Sequence, residues 1–155
     1  MRIISSGSGD EMLVFRPGCE PPALDDYPDL PLVFTCIIAR QNEKTLYIYS
    51  TYRNEWEITA GLIEPGETPL QGAIRELKEE SGQTASAFAC VGLCLIRLGR
   101  GGRLELGTIF TAELDPLQPF ATDGETSAMM LWDGLQPVEG HLDEISLELC
   151  RLANS

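Results

Sequence analysis

The chain has 155 residues, a formal net charge of −13 and an ordinary balance of apolar (43%) and charged (23%) side chains. That length can bury roughly two-thirds of its unfolded surface in one domain, residues 1–155. Its acidity argues against nucleic-acid polymers and membranes as partners, since no broad basic face can form, and no run approaches the roughly 18 apolar residues of a membrane span.

Residues 1–10 are rich in Ser and Gly and are expected to be loose or a short edge strand. Residues 12–16 read as a strand. Residues 16–31 hold five prolines and the pair Asp25-Asp26, so they are expected to form a loop. Residues 32–40 carry Val, Phe, Thr and Ile and read as a buried central strand. A turn at 41–44 leads to an alternating strand at 45–50, and 56–59 make a short strand. The five cysteines are scattered, only one histidine is present, and no second ligand pair follows Cys90 and Cys94. Reduced buried thiols in a cytoplasmic protein fit this better than a zinc site.

Residues 60–83 read AGLIEPGETPLQGAIRELKEESGQ. Thr68 suits an N-cap, Pro69 the first helical position and Gln71 the reciprocal half of a capping box. Gly82 suits a left-handed stop. The spacing of Leu70, Ala73, Ile74 and Leu77 predicts an apolar face packed inward. Glu76, Glu79 and Glu80 recur at the same spacing on a neighbouring face, roughly 5–6 Å apart between Cβ atoms. Like charges so placed repel, and the last turn of a helix disfavours anions. Two readings fit this face: a solvated acidic surface, or oxygen ligands for a hard cation such as Mg²⁺.

Beyond the helix, residues 88–98 and 103–114 read as two long strands joined by a turn at Arg100-Gly101-Gly102. Residues 115–125 form a loop and 127–132 a last strand. In 141–152, the stripe of Leu142, Ile145, Leu149 and Leu152 predicts a closing amphipathic helix. Strands flanking two helices give an α/β (α+β) class with a mixed sheet between helices.

Gly61, five residues, Glu67, seven residues and then Arg75-Glu76-Leu77-Lys78-Glu79-Glu80-Ser81-Gly82 resembles the Nudix box at every fixed position. Gln83 departs from the pattern, standing where the family has an aliphatic residue. The resemblance implies the Nudix α/β/α sandwich and hydrolysis of a nucleoside diphosphate derivative with Mg²⁺, or Mn²⁺ in its place. It assigns Glu76, Glu79 and Glu80 to the metal, with the carbonyl of Ala60 completing the shell. Glu67 and Arg75 become a structural pair, while Gly61 and Gly82 shape the backbone. A further acid from outside the box is expected as base or ligand, Glu125 first and Glu105 second. Tyr52, Arg53 and Trp56 are candidates for substrate contact. The expected substrate is a (d)NTP or an oxidised (d)NTP cut to the monophosphate. The alternatives are ADP-ribose or a nucleotide sugar, and a non-catalytic nucleotide-binding module. The resemblance also leaves open a homodimer, with the proline-rich loop as a possible contributor.

Overall fold

The computed structural model describes residues 4–19, 27 and 29–154. In chain order, the strands before the first helix are β1 (Ile4–Ser5), β2 (Glu11–Pro17), β3 (Leu32–Gln41), β4 (Lys44–Ser50), β5 (Glu55–Glu57) and β6 (Thr59–Leu62). Helix α1 (Pro69–Ser81) follows, then β7 (Ala85–Arg97), β8 (Leu104–Leu114), β9 (Thr126–Trp132) and helix α2 (Glu144–Ala153).

The strands join one mixed sheet in the order β1-β2-β7-β8-β3-β4-β5, with β6 also on β3 and β9 on β4. The pair β3–β8 is parallel, with Cys36 opposite Ile109 and Ile37 opposite Phe110. Side chains alternate between the two faces of a strand. In β3, Cys36 and Ile38 join a core shared with Leu149 of α2. Ile37 and Ala39 join a second core shared with Ala73 and Leu77 of α1. The sheet therefore lies between the two helices, an α/β/α sandwich. Among the described residues no helix is long and apolar enough to cross a membrane.

Helix α1 begins and ends where its caps dictate. Thr68 Oγ1 accepts from the Gln71 amide at 3.1 Å, and Gln71 Oε1 accepts from the Thr68 amide at 2.9 Å. Gly82 takes φ 79°, and its amide donates to the Lys78 carbonyl. A side chain there would also meet the backbone of Ala121 at 2.9 Å. The buried face differs from the expected one. Ala73 and Leu77 are buried, but Leu70 and Ile74 are 37% and 44% exposed. The helix meets the sheet along Gly72, Ala73, Leu77 and Ser81, a stripe too narrow to cover the other two.

Three further expectations are corrected. The strand expected at 56–59 is two strands, because the Ile58 amide donates to Ser146 Oγ at 3.1 Å. The closing helix starts at Glu144, because Asp143 caps it through the Ser146 amide. Cys19 and Cys90 form a disulfide, so these two are not reduced thiols. The prolines at 21, 22 and 28 lie outside the described residues, as do residues 1–3. In the described part of the N-terminus, Ile4–Ser5 is an edge strand and Ser6–Asp10 a hydrogen-bonded turn.

Gln83 explains its own departure from the box pattern. It is 1% exposed, and its amide group accepts from the Gln118 amide at 2.9 Å and donates to the Gln118 carbonyl at 2.8 Å. It thereby fastens the loop after β8 to the end of α1. Gln83→Leu keeps the volume but leaves these backbone groups unpaired. It is expected to lower unfolding stability by about 1–3 kcal/mol, measured by urea titration.

Candidate active site

The cap and stop of α1 fix the direction of its acidic face, and Arg75 organises that face. Its Nε and Nη2 donate to the two oxygens of Glu67 at 2.6 and 3.0 Å. Nη2 also donates to the Leu62 carbonyl at 2.8 Å, and Nη1 to Glu76 and Glu79 at 2.7 and 3.1 Å. The bidentate pair ties the loop before α1 to its middle. Arg75 and the Glu64 amide hold the Glu67 carboxyl below the usual carboxylate range. Glu64 itself is mostly exposed and only 3.7 Å from Arg75.

Glu80 lies deeper. Its Oε1 accepts from the Ala60 amide at 2.9 Å. Burial pushes its carboxyl up to about 8, against the pull of that amide and with help from Glu76 and Glu57. Burial also raises Glu76, with Arg75 opposing. A Cβ on Gly61 would fall 2.1–2.5 Å from the Glu76 carboxyl, so only glycine leaves that acid its space. The ligand atoms of Glu76, Glu79 and Glu80 do not all lie within 4.8 Å of one another, and Arg75 Nη1 bridges the first two.

These features fit a hard divalent cation. The donors are all oxygens, two of the acids titrate above their ordinary range, and the cradle is shaped by a glycine. A proton held by Glu80 near neutrality must leave when a cation binds.

Acids pushed upward keep a proton in the folded chain after the unfolded chain has lost it. For Glu80 this window runs from the ordinary 4.5 to about 8, and for Glu55 and Glu57 from 4.5 to about 7. The metal-free protein is therefore expected to lose stability as pH rises across that window. Urea unfolding in a chelating buffer at about pH 6 and about pH 8 measures the decline, and added Mg²⁺ should reverse it at the higher pH.

The acidic face opens into a cavity of about 560 Å³. Ala60, Gly61, Glu76 and Glu80 line it together with Phe34, Ile96 and Leu149 of one apolar cluster, while Glu79 is not among its lining residues. Arg53, Glu105 and Glu125 also border it. Arg53 donates to Glu57 Oε1 at 3.0 Å. Glu105 is 5% exposed and paired with Arg103 at 2.7 Å. Glu125 is exposed, and its carbonyl accepts from the amide and the hydroxyl of Thr51. Tyr52 and Trp56 are not among the lining residues. Tyr52 is 81% exposed, while Trp56 stacks edge-on against Tyr49 and donates to the Glu139 carbonyl.

Asp123 was not singled out in the sequence, yet its amide donates to the Glu79 carbonyl at 2.9 Å. The Thr126 hydroxyl likewise donates to the Glu80 carbonyl at 2.7 Å. Ser6, Ser8 and Asp10 reach the cavity from the segment expected to be loose. No spacing pattern signals these long-range approaches. A second cavity of about 570 Å³, between Tyr47, Trp132 and Cys150, holds no comparable set of acids.

The model of the NUDIX domain matches residues 29–143. The chain belongs to the Nudix family and is a Nudix hydrolase, an enzyme of pyrophosphate bonds. Among solved structures, its fold is similar to that of the pyrophosphohydrolase BsRppH of Bacillus subtilis, with 19% identity and a TM-score of 0.73. That match covers 99% of this chain and 94% of the other. A MutT NUDIX hydrolase from Burkholderia pseudomallei gives 15% identity and a TM-score of 0.64, over 81% and 96% of the two chains. An ADP-ribose pyrophosphatase from Streptococcus suis gives 20% and 0.57, over 78% and 90%. No curated protein matches the sequence significantly.

Proposed function

We propose that the chain is a Mg²⁺-dependent pyrophosphohydrolase that cuts (d)NTPs, including oxidised ones, to the monophosphate and pyrophosphate. One observation carries this reading: Glu76 and Glu80 of the box share a single cavity of about 560 Å³ with the apolar side chains Phe34, Ile96 and Leu149. That volume suits a small ligand rather than a polymer. A phosphate chain would lie at the acidic end and a base against Phe34, Ile96 and Leu149.

A divalent cation, when bound, polarises phosphoryl oxygens and lowers the pKa of water. Glu76, Glu79, Glu80 and the Ala60 carbonyl are the groups proposed to hold it, with Mn²⁺ able to replace Mg²⁺. Arg75 and Glu67 position those acids and touch no reacting atom. Among the described residues Arg53 donates one of its five N–H groups, to Glu57 at the cavity edge, which leaves others for a phosphate oxygen. Glu125 is proposed to take the proton of the attacking water. Glu105 is the second choice, because its carboxylate is already paired with Arg103. Water then adds to phosphorus as the bridging P–O bond breaks, and pyrophosphate leaves.

The test is a panel of (d)NTPs, 8-oxo-dGTP, ADP-ribose, NADH and nucleotide sugars with Mg²⁺ or Mn²⁺, run in heavy-oxygen water. The expected result is fastest turnover of a triphosphate to monophosphate and pyrophosphate. Faster turnover of ADP-ribose or a nucleotide sugar would overturn the substrate assignment.

A further inference from the structure

A second set of ligand-type side chains lies outside the box, where β5 meets the start of α2. The Trp56 amide donates to the His141 carbonyl at 2.8 Å, and the Asp143 amide to the Trp56 carbonyl at 2.9 Å. The two segments run parallel across this bridge. Strand periodicity puts Glu55 and Glu57 on the face opposite Trp56. Glu55, His141 and Glu144 each bring one ligand atom to within 4.8 Å of the others.

Two features separate this group from an ordinary acidic patch. Glu55 is 2% exposed, and its Oε2 is buried with no hydrogen-bond partner among the described residues. Glu144 Oε2 is likewise buried and unpartnered, while Oε1 lies 3.0 Å from His141 Nε2. Unpaired buried carboxylate oxygens are costly, and two of them here flank one imidazole.

Glu55 also neighbours Glu57 and Asp143, a second triad of comparable span. Those two acids already have partners. Glu57 pairs with Arg53, and Asp143 Oδ2 accepts from the amide and the hydroxyl of Ser146 as the cap of α2. The unmet demand therefore lies on the His141 side.

We propose that Glu55, His141 and Glu144 bind a borderline divalent cation of the Zn²⁺ class, separate from the cation of the box. One imidazole nitrogen and two carboxylates, completed by water, match the ligand count and chemistry such ions take. The ion neutralises the buried Glu55 and clamps β5 to the first turn of α2. Glu57 and Asp143, on those same segments, line the substrate cavity, so the clamp fixes one of its walls. The side chains of His141 and Glu144 are 51% and 41% exposed, which gives the ion a path from solvent.

His141 is the only histidine of the chain, so its ring protons are an isolated reporter. The full-length protein is titrated with Zn²⁺ while excess Mg²⁺ occupies the box, and the His141 resonances are followed by proton NMR. The expected result is a displacement of the His141 ring signals that saturates at one equivalent of Zn²⁺. Glu55→Gln should weaken Zn²⁺ binding roughly tenfold or more while circular dichroism shows an intact fold. If that variant does not fold, Glu144→Gln, at the surface, should give the same loss. Ring signals unmoved by Zn²⁺, or a response unchanged in the folded variants, would overturn the proposal. Neither result bears on the box, whose activity is read separately with Mg²⁺ alone.

Discussion

Glu80→Gln is expected to lower Mg²⁺-dependent hydrolysis by roughly 10³-fold, equivalent to about 4 kcal/mol of transition-state stabilisation. The substitution is nearly isosteric, and its amide oxygen can still accept from the Ala60 amide, now 2.9 Å from Glu80 Oε1. It removes a buried carboxyl whose titration lies near 8. The metal-free variant should therefore melt no lower than the parent at about pH 8, and its melting temperature should respond less to Mg²⁺. Glu67→Gln provides the contrast. It weakens the Arg75 clamp without removing a proposed ligand, so activity should fall less, with some loss of stability. A Glu80→Gln enzyme with near-parental Mg²⁺-dependent turnover would remove Glu80 from the chemistry, whereas a parent protein that binds nucleotide without turnover would favour a binding-only module.

Reducing the Cys19–Cys90 bond, or replacing both cysteines by serine, should cost roughly 4 kcal/mol of stability. The estimate follows from the 71-residue separation, because the crosslink restricts a long loop in the unfolded chain. Urea titration with and without reductant measures the difference. A thiol count on the unfolded, unreduced chain should find Cys36, Cys94 and Cys150 alone. Five reactive thiols would contradict the bond and restore the reduced state expected of a cytoplasmic protein.

The parts legible in the sequence are those encoded over short distances. Thr68, Pro69, Gln71 and Gly82 set both ends of α1 because capping acts within one turn. The Glu67–Arg75 pair is implied by the resemblance to the Nudix box and is likewise made between residues close in the chain. The hairpin at Arg100-Gly101-Gly102 and the apolar stripe of α2 are local signals of the same kind.

What escaped the sequence is set by packing between distant segments. Leu70 and Ile74 obey the helical period, yet α1 is buried only along Gly72, Ala73, Leu77 and Ser81, which leaves them partly exposed. Cys19 meets Cys90 only because β2 lies beside β7. Gln83 looked like a lapse in the box until Gln118 arrived from 35 residues away. Glu55 carries no signal of its own, and gains one only when the Trp56–Leu142 bridge sets it against His141 and Glu144. Trp56 shows the converse. Its place before the box suggested substrate contact, but the period of β5 turns it toward Tyr49.

The central claim is that the acids of α1 hold a cation that in turn holds a phosphate chain. A crystal structure with Mg²⁺ and a non-hydrolysable nucleoside triphosphate analogue tests it most directly. The account predicts Mg²⁺ at roughly 2.0–2.1 Å from oxygens of the Glu76, Glu79 and Glu80 set and from phosphate oxygens, with the base against Phe34. Those carboxylates still paired to Arg75 or turned to solvent, with the nucleotide bound elsewhere, would contradict it.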